Sequence, residues 1–548
     1  MPGRAVQNID CQAAEKLSRP TPEQAAWQDL ELGMFIHFGP ATYEDIEEDN
    51  LSARLDQINP DKLDTDQWVQ AAKDMGAGYI MFVAKHSGGF CAWQTDTTTY
   101  GIKNTPWRGG KGDILADLSA SCRKQGVKLG VYISPSDRHF GAGTAGSCAN
   151  AQEQEKYNKI YRQQLTEILT RYGDMIEVWF DGSLVVPVGD ILQKHAPRAQ
   201  VFQGPHATIR WVGNEEGWAP YPAWNAVPLA KARSGIATAA DGTPNGDAWL
   251  PNECDTKYCA SWHWKTHYAG SLRSLDDLMK LYYNTVGHGA VLLLNHAPDR
   301  TGLIPEAEMR RGREFGAEIR RRFGKSVAET SGRGQTLELA LPKPTRIDHV
   351  IVMENILEGE RVREYVMEGF VGEQWKELCR GSAIGHKKID AFGPLEVSRV
   401  RLRVVQSAAE PMIRKLAAYN VGDTPKLSAD AADDPARQVW QWSAENLGKE
   451  WKTVDIDLTS ICKDPQVYQV DFHHPDKVPN VEVRSLELLV DGVVAPGFVE
   501  RTQPDAPRRY YVTITALSKK LGLRAVVRAP DQMQSGAKGE VTVCKRPR

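Results

Sequence analysis

The sequence predicts a multidomain protein with an N-terminal (β/α)8-like barrel followed by β-sandwich domains. Three observations support this prediction: a length of 548 residues, a first part in which short apolar runs alternate with helical patterns, and a remainder with strand patterns. At about 150 residues per domain the chain is too long for one hydrophobic core. We expect the barrel at residues 1–325, a sandwich packed on it at 326–422, a linker at 423–437 and a second sandwich at 438–548.

Repeated strand–helix units in the first part favour a parallel sheet and, at this number, a closed barrel. The strand candidates are Gly33–Gly39, Tyr79–His86, Lys128–Ser134, Met175–Gly182, Ala199–Gly204 and Ala290–Asn295. Amphipathic stretches between them predict helices at Asp66–Met75, Asp113–Gln125, Glu153–Arg171 and Leu272–Thr285. In the second of these helices Ile114, Leu115 and Leu118 recur at helical spacing, and Gly126 tolerates the left-handed conformation of a C-terminal cap.

After Ser326 the pattern changes to short, alternating or β-branched runs separated by turn residues. These runs predict strands at Leu337–Leu341, His349–Met353, Val362–Met367 and Val400–Val405. No long helical pattern follows, which is typical of β-sandwiches. The stretch Gly422–Arg437 is polar and rich in Ala, Asp and Pro, as expected of a linker.

The composition argues against several partners and cofactors. Hydrophobic residues make up 41% of the chain and charged residues 25%, which is usual for a globular protein. A formal net charge of −3 gives no field to attract nucleic acid or an anionic membrane, so we expect neither partner. The nine cysteines form no metal-type pair, and we expect no metal and no cofactor. The oligomeric state stays open.

Polar side chains end five of the strand candidates: His37, His86, Tyr132, Asp181 and Asn295. The C-terminal ends of barrel strands meet at one mouth, where active sites of this fold form. Any one of these residues alone is more often a cap or a loop residue. Their recurrence at equivalent positions indicates a single site.

Asp181 is the strongest single signal, because it follows the apolar run Met175–Phe180 and precedes Gly182, which leaves backbone room at the mouth. The competing interpretation is an Asp that caps the next helix. Nucleophilic and acid–base chemistry at one site commonly uses a pair of carboxyl groups. Glu215, flanked by glycines and tryptophans in the loop Trp211–Trp218, is the main candidate. Glu216 fits a solvated turn, and Glu253 is a third carboxyl group near a strand end.

Several segments resemble the α-L-fucosidases of glycoside hydrolase family 29: Gly33–Pro40, Ala84–His86, Gly89–Trp93 and Glu177–Gly182. Three more segments resemble the α-1,3/1,4-fucosidase branch of that family: Arg210–Gly217, Glu253–Asp255 and Trp262–Trp264. The likeness runs in order from about Trp27 to Gly302. It continues more weakly through Glu354, Arg361, Trp375 and Gly385. Each motif is moderately specific, and five in register are a strong signal.

The resemblance implies an exo-acting, retaining α-L-fucosidase that acts on oligo- or polysaccharides. It makes Asp181 the nucleophile and Glu215 the acid/base, with Glu253 in reserve. The expected substrate-binding residues are His37, Glu47, His86, Tyr132, Trp211, Glu253 and Trp264. Met1–Leu17 contains no apolar run. Because polymer-degrading exo-hydrolases usually work outside the cytoplasm, we expect a secreted or periplasmic protein whose leader has been removed, with a cytoplasmic protein as the alternative.

The chain departs from the family pattern at the pocket for the terminal sugar. The family reads Lys-His-His-Asp-Gly-Phe where this chain has Lys85–Phe90, so Ser87 and Gly88 replace a histidine and an aspartate. Glu48 stands where the family has a tryptophan. A larger pocket predicts a substituted fucose or L-galactose as substrate. Alternatively, a nearby loop with His263 supplies the missing donor and fucose remains preferred.

Other functions fit the same residues. A catalytically inactive carbohydrate-binding protein would usually have lost one of the two carboxyl groups, and this chain retains both. An inverting hydrolase would differ in carboxylate separation, and transglycosylation would use the same residues. The second sandwich could bind carbohydrate through Trp440, Trp442 or Trp451, although core packing of these indoles is the simpler interpretation.

Overall fold

The computed structural model describes residues 17–266, 271–422, 437–463, 467–473, 481–495, 499–501, 509–514, 520–530 and 537–545. The chain divides into two compact units. The first comprises Met1–Thr266 and Arg273–Pro425, and the second His267–Leu272 and Lys426–Arg548. The linker expected at 423–437 lies, apart from its last residue, outside the described residues, as does the chain before Leu17.

Eight parallel strands form the barrel sheet, in the spatial order β5-β4-β3-β2-β1-β10-β9-β6. Phe202 and Ile209 form a parallel bridge between the two edges, which nearly closes the ring. The six predicted strands are all present, five of them shorter than predicted and the last shifted by one residue, and β6 and β9 are additional. The strands are β1 Leu32–Ile36, β2 Tyr79–Lys85, β3 Lys128–Ile133, β4 Glu177–Trp179, β5 Gln200–Phe202, β6 Arg210–Trp211, β9 Asn252–Lys257 and β10 Val291–His296.

Helices separate the barrel strands, and the four predicted helices appear within a few residues of their expected bounds. Asp113 caps the predicted helix α4 at Ala116 N, and Gly126 ends it at φ 73°. A short antiparallel pair, β7 Ala226–Val227 and β8 Ala248–Trp249, lies between β6 and β9. The helices are α1 Pro22–Gln28, α2 Pro40–Glu44, α3 Thr65–Met75, α4 Ile114–Gln125, α5 Ala151–Arg171, α6 Gly189–His195, α7 Leu229–Ala232, α8 Leu275–Asn284 and α9 Glu306–Phe323.

The barrel interior contains two facing carboxyl groups among aromatic side chains. Glu177 and Glu253 are fully buried. Trp27 Nε1 donates to Glu177 Oε2 at 2.9 Å, whereas Tyr79 Oη and Trp179 Nε1 donate to the two oxygens of Glu253 at 2.6 and 2.8 Å. Two adjacent carboxylates in such an interior would repel each other strongly. Protonated Glu177 can instead donate a hydrogen bond to ionised Glu253, which removes this repulsion.

A six-stranded antiparallel sheet follows the barrel within the first unit, in the order β11-β16-β12-β15-β13-β14. Lys387 Nζ pairs with Glu31 Oε2 at 2.7 Å, and Tyr283 Oη lies 2.8 Å from His349 Nε2, which joins this sheet to the barrel. Bulges in the two longest strands allow them to bend. The strands are β11 Ala328–Arg333, β12 Thr336–Glu354, β13 Val362–Val371, β14 Gln374–Gly381, β15 Lys388–Ser407 and β16 Met412–Tyr419.

The second unit contains a five-stranded and a four-stranded sheet that share one hydrophobic core, which is a β-sandwich. Trp442 is buried in this core and Trp440 packs against it, whereas Trp451 is 37% exposed beside Arg528. The elements are β17 Arg437–Ser443, α10 Ala444–Leu447, β18 Lys452–Asp457, β19 Val467–His473, β20 Glu482–Val490, β21 Val493–Ala495, β22 Val499–Arg501, β23 Arg509–Thr513, β24 Leu521–Arg528 and β25 Lys538–Lys545. Across the described ranges, the helices are too short or too polar to cross a bilayer.

Candidate active site

The five strand-end residues gather at one mouth of the barrel. The in-register parallel pairing of β1, β2, β3, β4 and β10 brings the C-terminal ends of these strands to the same edge. Ring centroids of His37 and His86 lie 5.7 Å apart. His86 stacks on Tyr132, and Tyr132 Oη donates to Asp181 Oδ2 at 3.0 Å.

Asp181 remains accessible to solvent although protein atoms crowd its carboxylate. Burial raises the pKa of Asp181, and the nearby charge of Glu48 adds to the rise, while His86 and the Tyr132 hydroxyl oppose it. The hydroxyl and the backbone N–H of Gly182 hold the carboxylate in place. An oriented carboxylate at a barrel mouth is suited to nucleophilic attack.

Glu215 lies in the loop after β6, where Gly213 and Gly217 adopt φ of 99° and 88°. Thr256 Oγ1 donates to its backbone carbonyl at 2.7 Å, and Trp262 Nε1 donates to its Oε2 at 3.3 Å. Burial raises the pKa of Glu215, as do the charges of Asp181 and Glu47, against the opposing effects of Lys257 and Trp262. A carboxyl group with a raised pKa retains the proton that a general acid requires.

Three histidines line the space beside Asp181. His263, which the sequence analysis named only as an alternative donor, has its ring centroid 5.3 Å from that of His37 and 5.5 Å from that of His86. Burial lowers the pKa of His263 to about 3 and that of His37 well below its ordinary value. Both are therefore neutral, and they can hydrogen-bond to hydroxyl groups without adding charge.

Hydrogen bonds fix the tautomers of two of these rings. Asn295 Nδ2 donates to the Trp262 carbonyl at 2.8 Å, so its Oδ1 accepts from His37 Nδ1 at 2.7 Å. His263 Nδ1 donates to the Glu47 carbonyl at 2.9 Å. In both rings Nε2 then carries the lone pair. Each ring can accept a hydrogen bond from a sugar hydroxyl.

Glu47 is tied to the loop that carries His263. Its carboxylate accepts from Trp262 N at 2.7 Å and from Ser261 Oγ, and it pairs with Lys265 Nζ at 3.1 Å. Burial works to raise the pKa of Glu47, but Lys257, Lys265 and these hydrogen bonds outweigh it and the pKa is lowered. Glu47 is therefore ionised and positions the loop.

Trp262 is a site residue that the sequence analysis did not single out. The centroid of its ring lies 5.0 Å from that of His37 and 6.0 Å from that of Phe35. Its indole N–H donates to Glu215. The neighbouring Trp264, expected to face the sugar, is half-buried, and the guanidinium of Arg300 lies 5.8 Å from its ring centroid. The sugar contact of Trp264 stays a prediction.

Two further expected substrate contacts have partners within the protein. Trp211 is half-buried and donates through Nε1 to Asp255 Oδ1 at 2.6 Å, and its substrate contact stays a prediction. Glu253 is fully buried with both oxygens hydrogen-bonded inside the barrel. A substrate contact from Glu253 is therefore excluded in this structure. The strand-end reasoning failed there because Glu253 lies near the beginning of β9.

The departures at Ser87, Gly88 and Glu48 lie on one wall. Ser87 Oγ is 3.3 Å from His86 Nδ1. A Cβ at Gly88 would collide with the carboxylate of Asp49, which also accepts from Tyr100 Oη at 2.9 Å. The space of the missing aspartate is thus occupied by a different one. Arg138 donates to the Asp49 carbonyl and lies 3.4 Å from Glu48.

Over the part of the chain that the structure describes, there is no group of three or more His, Cys, Asp or Glu side chains that could hold a metal ion. The site instead offers two carboxyl groups, neutral histidines and indoles. This set is suited to polar recognition of hydroxyl groups and to acid–base and nucleophilic chemistry.

Comparisons with known proteins agree with this chemistry. The sequence model of the α-L-fucosidase family matches residues 41–321. Alpha-L-fucosidase 1 of Arabidopsis thaliana is 30% identical over 453 residues, which cover 74% of this chain and 88% of that protein.

Solved structures give the same result. A glycoside hydrolase 29 family member from an unknown rumen bacterium has a TM-score of 0.69 at 26% identity, and covers 97% of this chain and 100% of its own. A family 29 fucosidase of Ruminococcus gnavus, solved with fucose, has a TM-score of 0.65 at 26% identity, over 74% of this chain and 95% of its own. The chain belongs to the α-L-fucosidase family, glycoside hydrolase family 29.

Proposed function

We propose that this protein is an exo-acting, retaining α-L-fucosidase that removes terminal α-L-fucosyl residues from oligo- or polysaccharides. The observation that supports this most is the shared mouth of Asp181 and Glu215, two carboxyl groups from different loops beside three histidines, where the charge of Asp181 raises the pKa of Glu215. Membership of the family supports fucose as the terminal sugar and a mechanism that retains the anomeric configuration.

Asp181 attacks the anomeric carbon, and the bond to the leaving oxygen breaks as Glu215 donates its proton to that oxygen. The product of this step is a glycosyl ester on Asp181. Glu215, now ionised, then takes a proton from a water molecule, which attacks the same carbon and releases the sugar with Asp181 restored. Tyr132, hydrogen-bonded to Asp181, orients the nucleophile.

Fucose fits this pocket better than L-galactose or a substituted fucose. Ser87 and Gly88 remove side chains, but His263 and Asp49 lie in the same wall region and compensate for them. The proposed location is secreted or periplasmic, because terminal fucose of polymeric glycans is met outside the cytoplasm.

The test uses an aryl α-L-fucoside with two variants. Asp181→Asn should lose turnover and keep the thermal unfolding profile of the wild type. Glu215→Ala should lose most activity on poor leaving groups, keep more on the aryl substrate, and regain rate with azide, because azide needs no general base. If Asp181→Asn retains a substantial share of wild-type activity, or azide rescues Glu253→Ala and not Glu215→Ala, the assignment is wrong.

A further inference from the structure

Lys257, the last residue of β9, is a cation that the proposed mechanism does not use. It is half-buried, and its Nζ lies 5.6 Å from the centroid of the Trp262 ring. Among the described residues no carboxylate lies within ion-pair distance of it, whereas Lys265 pairs with Glu47 at 3.1 Å. The ammonium of Lys257 therefore rests on an indole face rather than in an ion pair.

Trp262, whose indole lies under Lys257, contacts both carboxylates on this side of the site, one through its indole N–H and the other through its backbone N–H. Trp262 Nε1 donates to Glu215 Oε2 at 3.3 Å, and Trp262 N donates to Glu47 Oε1 at 2.7 Å. A cation held on this ring is thus close to the acid/base without neutralising it in a direct pair. Lys257 is also a counter-charge to Glu47.

Four titratable groups from three segments of the chain face Glu215. Asp181 after β4 and Glu47 after α2 raise the pKa of Glu215, and Lys257 lowers it. The fourth group is Asp255, two residues before Lys257 on the same face of β9. Burial and the Glu215 charge raise the pKa of Asp255 well above its ordinary value, which favours the neutral form of Asp255. Lys257 is then the cation of β9 that offsets the surrounding carboxylates.

We propose that Lys257 is a positioning residue for the acid/base: its ammonium, seated on the Trp262 indole, sets the upper pH at which Glu215 still donates a proton. The proposal rests on the proposed function, because it requires Glu215 to be the general acid. Without the cation, the neighbouring anions would hold the proton on Glu215 more tightly. The enzyme would then work to higher pH but release the proton less readily.

The experiment measures kcat/KM on an aryl α-L-fucoside from acidic to alkaline pH. Lys257→Met should move the alkaline limb upward by roughly one pH unit, the lower end of the effect of a nearby charge. Lys257→Arg should restore the wild-type limb, which a purely structural role for the side chain would not predict. Lys257→Gln serves as a second neutral variant if the Met variant folds poorly.

Lys265→Met is the matched control, because it removes the same charge from a lysine paired with Glu47. Its alkaline limb should stay at the wild-type pH whatever happens to KM. An unmoved limb in both neutral Lys257 variants would overturn the proposal. An alkaline limb that persists in Glu215→Gln would show that Glu215 is not the general acid, so that the proposed function fails instead.

Discussion

At the scale of single residues, His263 lies where it could supply the hydrogen-bonding group that Ser87 lacks. His263 is 2% exposed and forms edge-to-face contacts with His37 and His86. Its Nδ1 is held by the Glu47 carbonyl, which leaves Nε2 for a ligand. Ser87 therefore need not enlarge the pocket.

His263→Ala should weaken fucoside hydrolysis more than Ser87→Ala does. Loss of the imidazole leaves a buried sugar hydroxyl without its partner, which costs about 1–3 kcal/mol, and about 1.4 kcal/mol is tenfold. We expect kcat/KM on an aryl α-L-fucoside to fall roughly ten- to a hundredfold. Rates on the matching α-L-galactoside provide the comparison. A wild type that prefers the galactoside, or a silent His263→Ala, would contradict a refilled pocket.

Glu177 allows a prediction about pH and stability. Burial, then the Glu253 charge, raises the pKa of Glu177 well above its ordinary 4.5. The protonated Glu177 therefore contributes fully to the free energy of unfolding at pH below its unfolded-state pKa. This contribution is lost as pH rises through its folded-state pKa. Glu177→Gln retains an N–H donor for Glu253 that does not titrate. Between pH 5 and pH 8, the melting temperature of the Glu177→Gln variant should therefore fall less than that of the wild type. Calorimetry at a series of pH values measures both. Parallel curves for the two proteins would contradict a shared proton.

Sequence reasoning identified residues that the structure brings together at the barrel mouth, and missed residues whose place depends on how the loops fold. His37, His86, Tyr132, Asp181 and Asn295 end apolar strands, and that pattern is visible in the chain. Trp262 follows no strand pattern, and its role depends on where the loop folds. Asp49 fills the space at Gly88 from a residue 39 positions earlier, which only the folded chain reveals.

At the scale of elements, β9 was missed for a functional reason. Its sequence Asn-Glu-Cys-Asp-Thr-Lys is too polar for a buried strand, yet five of its six residues are buried. The alternate residues Glu253, Asp255 and Lys257 share a face of the strand, from the barrel core up to the site. Specific partners, such as Tyr79 and Trp211, make this polar strand tolerable. The strands β2 and β10 are mostly apolar and therefore match the pattern of a buried strand, and the sequence predicted both.

Helix packing provides a matched pair of glycines on α9. A Cβ at Gly316 would collide with the backbone of Asp74 and Met75 at the end of α3, whereas one at Gly312 would meet Met75 Cβ at 3.7 Å. Gly316→Ala should therefore destabilise the protein by about 1–3 kcal/mol through overpacking. Gly312→Ala should be neutral or gain up to about 1 kcal/mol in helix propensity. Thermal unfolding of both variants decides, and equal effects would mean that close approach at Gly316 is not what requires glycine.

At the scale of the whole molecule, the site residues all belong to the first compact unit, with the barrel and the six-stranded sheet. The second unit has its own core, in which Trp442 is buried. The change from helix–strand alternation to strands alone indicated this organisation from the sequence. The domain bounds and a carbohydrate-binding role for the second sandwich stay predictions, and the latter depends mainly on Trp451, the indole that is partly open to solvent.

Residues 1–425 should fold and hydrolyse an aryl α-L-fucoside with the kcat/KM of the full chain. Two observations motivate this: the first unit holds its own cores, and the Ruminococcus gnavus fucosidase aligns 95% of its length with 74% of this chain. Because an aryl fucoside is too small to use a remote binding site, its turnover reports on the barrel alone. A polysaccharide substrate then tests the second sandwich, since a carbohydrate-binding role predicts a raised KM for the truncated protein on the polymer and an unchanged one on the aryl fucoside. Equal loss on both substrates, with an intact unfolding transition, would show instead that the second unit supports the catalytic site itself.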